Sequence, residues 1–147
     1  MLLNHIVCKI IENIASINSP SVQKFLSNQS EVVNALWSCY THSANNEQLR
    51  VAALNAICML SSHSISVFVS LIDKNGIDSI LECLTNANNQ IQHVTLTMIS
   101  MLTNEQNTKS LPERVSNMNW FPVFYWLQTF IRTRKNLFKK IKNSRKF

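Results

Sequence analysis

Cys39 and His42 lie three residues apart, so a helix carrying both places them on one face. That spacing could serve a thiolate–imidazole pair or half of a metal site. A metal site needs further ligands, and Cys8, Cys58 and Cys83 stand far apart in the chain with no close cysteine pair. The simpler reading is a core-edge cysteine beside a histidine in a helix's last turn, where a cation meets the helix dipole favourably. His63 fits the same description. His5 and His93 have no carboxylate at catalytic spacing, and Asp73 and Asp78 flank a turn as solvated caps. The single glycine, Gly76, excludes the usual phosphate cradle, which needs several. There is no kinase catalytic loop and no magnesium-binding Asp-Phe-Gly. No catalytic residue, cofactor or metal ligand is expected.

The elements that would hold such groups are helices. One glycine and three prolines in 147 residues disfavour strands and tight turns. Apolar residues make up 46% and charged residues 15%, which is not the composition of a disordered chain. The cysteines sit inside apolar helical patterns and read as small hydrophobes in a reducing compartment. The start, MLLNHIVCK, lacks the basic lead of a signal peptide. The apolar, aromatic-rich stretch from Trp120 to Ile131 is short of the roughly 20 residues a spanning helix needs.

Charge divides the chain. Residues 1–104 carry four Lys/Arg against six Asp/Glu, and residues 105–147 carry ten against two. The body is nearly neutral and the end is basic. Such a block contacts phosphate or an anionic surface, or is a solvated tail.

Internal repetition is the strongest signal. LRVAALNAICML (Leu49 to Leu60) echoes IQHVTLTMISML (Ile91 to Leu102) at a separation of 42 residues, with Leu54/Leu96, Ile57/Ile99, Met59/Met101 and Leu60/Leu102 identical. A first helix is expected over Leu2 to Ile17, with Leu3, Ile6, Val7, Ile10, Ile11, Ile14 and Ile17 as one wide apolar stripe. Ser19-Pro20 opens a short helix, Ser30 caps a third, and Asn46 opens the long one. The order short, medium, long then repeats from Ser64, with Lys74-Asn75-Gly76 as a stop and Asn88 or Asn89 as the next start. The expected fold is all-α. It is an armadillo/HEAT-type right-handed helical solenoid of about two three-helix repeats plus one leading helix. Residues 1–104 form this array, a section of a longer one because the leading repeat lacks its front. Residues 105–118 are a linker, and residues 119–147 a basic aromatic tail, expected to be a foreign or disordered extension of the array.

Leu2-Leu3, His5-Ile6-Val7, Lys9 to Asn13, Leu36-Trp37, His42-Ser43, Leu49-Arg50, Ala53, Ala56, Cys58 and His63-Ser64 resemble the C-terminal armadillo-like region of the Unc-fifty-one-like kinase four family, related to Runkel and Fused. Gly76, Ser79, Gln92, Leu96-Thr97 and Met101-Leu102 continue the likeness, which covers about Leu2 to Asn104. The resemblance implies a repeat region that follows a kinase-like pseudokinase domain, absent here, in cytoplasmic proteins associated with microtubules and cilia. It implies a non-catalytic scaffold that binds another protein and takes no small-molecule substrate.

Two surfaces are candidates. The long helices would line a concave face, with Glu12, Arg50, Asn55, Gln92 and Thr97 as the protein-binding positions. Asn55 and Thr97 are equivalent at the 42-residue period and could grip a peptide backbone. The alternative function lies in the tail, where Arg132, Arg134, Lys135, Lys139, Lys140 and Lys142 accompany many aromatics. They would hold an anionic membrane or a nucleic acid. Pro122 is expected to break the start of any helix there, and the polar face is not clean.

Overall fold

The computed structural model describes residues 2–17, 19–27, 30–86, 88–104, 109 and 111–144, with side chains for all of these except 23, 26–27 and 137–144. Among the described residues there are helices and no strands. They are α1 (Leu2–Ala15), α2 (Pro20–Ser27), α3 (Ser30–His42), α4 (Glu47–His63), α5 (Ile65–Asn75), α6 (Ile77–Thr85), α7 (Asn89–Leu102), α8 (Glu113–Ser116) and α9 (Phe121–Ser144).

The boundaries have local causes. Asn46 accepts the Leu49 backbone N–H at 3.0 Å and so begins α4. Asn88 does the same for α7, taking the N–H groups of Gln90 and Ile91. Gly76 ends α5 at φ 78°, a left-handed conformation that costs glycine little, and its N–H donates to the Ile72 carbonyl. Pro122 does not break α9. It falls in the first turn, where its missing N–H would have had no partner in any case. The short–medium order of the first three-helix group is reversed in the second, where α5 has 11 residues and α6 has 9.

The three long helices α1, α4 and α7 pack in a row, α1 against α4 and α4 against α7, while α3 and α5 cover the rest of α4. Hence α4 is apolar on several sides. Leu49, Ala52, Ala53, Leu54, Ala56, Ile57 and Leu60 are all buried. The 42-residue echo carries over to burial, since Ile91, Met98, Ile99 and Leu102 are buried on α7 as their counterparts are on α4. Thr95 replaces Ala53 in the core and satisfies its hydroxyl by donating to the Ile91 carbonyl at 2.8 Å.

The stripe on α1 does not point where its regularity suggested. Cys8, Ile11 and Ala15 face α4, the small Cys and Ala permitting close approach. Leu3, Ile6, Val7, Ile10 and Ile14 lie on the opposite side and are exposed. At the other end, α9 packs against α6 and α8 against α5, bringing Val115 and Val123 into the core.

Candidate interaction surfaces

The row of long helices leaves a groove of ≈ 470 Å³ lined by Lys9 of α1, Val51 and Asn55 of α4, and Asn89, Gln90, His93 and Val94 of α7. Lys9 donates to Glu12 at 2.7 Å, one turn along α1, so the Glu12 carboxylate beside this wall is already paired. Among the described residues the side chains of Asn55, Gln90 and His93 have no hydrogen-bond partner, leaving amide and imidazole groups free to meet a ligand. Thr97 sits a turn beyond His93, but its hydroxyl already donates to the His93 carbonyl at 3.0 Å.

The five sequence-predicted positions therefore separate. Asn55 lines the groove, Glu12 borders it through Lys9, and Thr97 lies along its continuation. Arg50 and Gln92 do other work. The Arg50 guanidinium lies 4.5 Å over the Tyr40 ring, with Glu82 at 3.8 Å, so it ties α3, α4 and α6 together. The Arg50 side chain is only 13% exposed, and most of this tie is packing and cation–π attraction, because Glu82 is largely solvated. Gln92 donates to the Asn86 carbonyl at 2.7 Å and fastens the turn before α7.

The same cluster contains a buried Cys83, whose thiol donates to the Tyr40 hydroxyl at 3.2 Å. Burial lifts Cys83 from 9.0 to about 11, and burial likewise raises Tyr40. Cys8 is raised to about 11, mainly by burial and then by the neighbouring Cys39. These thiols are neutral at physiological pH and poorly suited to nucleophilic attack. His42 Nδ1 lies 3.0 Å from the Ser38 carbonyl and 3.0 Å from the Thr41 hydroxyl. His63 meets the Ala15 carbonyl, closing the C-terminal end of α1 onto α4. Among the described residues there is no group of three or more His, Cys, Asp or Glu that could hold a metal ion.

On the tail, Arg134 is exposed but leans toward α7. Its guanidinium lies 4.8 Å over Phe130, beside Asn89, Gln92 and His93 of α7. Arg132 and Lys135 are exposed on the opposite side. The side chains of Lys139, Lys140 and Lys142 lie outside the described residues. Gln90 and His93 are polar positions legible on the long helix α7, whereas Lys9, which completes the groove, is not singled out by the sequence. Only α1–α4–α7 adjacency brings them together, and period alone does not reveal which flank of each helix stays open.

Comparison with known proteins gives a partial likeness. Over 101 residues the chain is 30% identical to serine/threonine-protein kinase ULK4 of Mus musculus, a match covering 69% of this chain and 8% of that protein. The chain thus spans less than a tenth of the length of that relative. No family model matches the chain, and no solved structure matches it.

Proposed function

We propose that this chain is a non-catalytic scaffold that binds another protein through stacked helices. In this reading it is an armadillo-type right-handed solenoid: α2–α4 and α5–α7 are two three-helix repeats, and α1 is the last helix of a leading one. The 42-residue echo, the α1–α4–α7 row and the matching burial of α4 and α7 support it.

The observation that carries the reading is the outward side of α1. Leu3, Ile6, Val7, Ile10 and Ile14 are apolar at helical spacing and exposed, whereas α4 has a neighbouring helix on both of its flanks in the row. Contiguous exposed apolar surface of this kind marks an interaction site. The occupant that fits is another amphipathic helical layer, packed on α1 as α1 packs on α4. The polar groove of Lys9, Asn55, Gln90 and His93 is a second contact surface, suited to an extended backbone.

The similarity to ULK4 supports placing the scaffold within a kinase-related protein. A pseudokinase parent, microtubule- or cilium-associated partners and a cytoplasmic or cytoskeletal location belong to the same proposal, as what the sequence resemblance to the Unc-fifty-one-like kinase four family implies. The test is sedimentation equilibrium of the full chain over a wide concentration range. A second copy is then the nearest available helical layer, and reversible self-association is expected. A chain that stays monomeric at its highest soluble concentration contradicts the reading.

A further inference from the structure

The helix α9 has two distinct sides. Val123, Trp126, Leu127 and Phe130 form the inner one, with Val123 fully buried and the other three half-buried. Trp126 and Phe130 stack there at 4.8 Å, and Arg134 continues the same side. The outer side runs Phe121, Phe124 and Tyr125, then the polar Gln128, then Ile131, Arg132 and Lys135, linked by helical spacings of three and four, and all seven are exposed. Phe121 is 71% exposed and Tyr125 62%, values a packed aromatic does not have.

We propose that this outer side docks α9 onto an anionic phospholipid surface. Phe121, Phe124, Tyr125 and Ile131 would enter the headgroup boundary, and Arg132 and Lys135 would meet lipid phosphate and carboxylate. The charge is complementary and uncompensated. No Asp or Glu occurs between Phe121 and Ser144, and among the described residues neither Arg132 nor Lys135 has a carboxylate partner. The rings precede the cations along the axis, so one face offers an apolar half that can enter the headgroup boundary and a basic half that can stay among the phosphates. Among the described residues no helix is long and apolar enough to cross a membrane, and lying in the interface plane is the arrangement that suits α9. Lipid fits better than a single-stranded nucleic acid. Phe121 and Tyr125 turn one face of each ring toward the other, at 6.1 Å with 25° between planes, which leaves only the outer face of each for a base. Ile131 has no such face at all.

The experiment is co-sedimentation of the full chain with vesicles of phosphatidylcholine alone and of phosphatidylcholine with phosphatidylserine, at low and high salt. A single-stranded RNA is titrated in parallel. Binding is expected to the phosphatidylserine vesicles, weakened by salt. The double substitution Arg132→Gln/Lys135→Gln is expected to lower that affinity about 30-fold, from two lost surface cations. Phe121→Ser/Tyr125→Ser is expected to lower it as well. Arg132 and Lys135 are exposed, so their substitution leaves the thermal midpoint in place and remains informative even where the aromatic variant unfolds. Equal binding to both vesicle types, an unaltered affinity in the charge variant, or RNA binding without vesicle binding would each overturn the proposal.

Discussion

Replacing Ile6 and Ile10 by glutamine removes the centre of the open face of α1 while keeping helix-compatible side chains. Ile6 is 44% exposed and Ile10 is 49% exposed, so about half of each side chain remains to be covered when a second helical layer docks. Complete burial of an isoleucine is worth roughly 1.5–3 kcal/mol. Covering the remaining half therefore contributes about 1 kcal/mol per residue. A symmetric dimer of this chain has four such residues at the interface, and their loss should cost about 4 kcal/mol, or roughly a thousandfold in Kd. The folded chain itself should lose no more than about 1 kcal/mol per site, because each residue's buried half is all it contributes. Sedimentation equilibrium reads the first quantity and urea unfolding the second. An I6Q/I10Q chain that self-associates as strongly as its parent would refute the assignment of α1 as the docking face. A large loss of stability with no change in association would show instead that the stripe faces the core in solution.

Four further outcomes follow from the packing and the charges. Ile57→Ala in the middle of α4, at a fully buried position, should cost about 2–5 kcal/mol in urea unfolding, and a cost below 1 kcal/mol would speak against α4 as the central layer. Arg50→Ala should destabilise by about 1–2 kcal/mol through loss of the contact over Tyr40, whereas Asn55→Ala should stay within about 0.5 kcal/mol of the parent. Asn55→Ala should nonetheless weaken an extended peptide selected for binding to the chain, by fluorescence anisotropy. Cys83 is neutral in the folded protein to about pH 11 but only to pH 9.0 when unfolded, so its contribution to stability is full below pH 9 and lost as pH rises towards 11. The urea midpoint should fall over that interval, and fall less in Cys83→Ala.

Much of the scaffold could be read from residue types because its signals are local. Asn46, Asn88 and Gly76 act through their own turns, and the apolar periods of α4 and α7 survive in their burial. What could not be read depends on neighbours distant in sequence. The regular stripe of α1 carried no mark of which side would meet α4, since apolar residues occupy both. Small Cys8 and Ala15, rather than the larger isoleucines, take the close contact. Arg50 looked like a surface cation on a long helix. Its real company, Tyr40 and Glu82, comes from two other helices. For α9 the aromatics and cations were legible as a composition, but their sorting onto two sides needed the helix to extend through Pro122 and to rest on α6.

Hydrogen–deuterium exchange on the full chain, at rising protein concentration, addresses the scaffold reading at its source. The expected result is strong, concentration-independent protection across Glu47–His63, the central helix, with protection across Leu2–Ala15 growing as the chain associates. Protection that grows along α9 or around the Asn55–His93 groove while Leu2–Ala15 stays unchanged would contradict it.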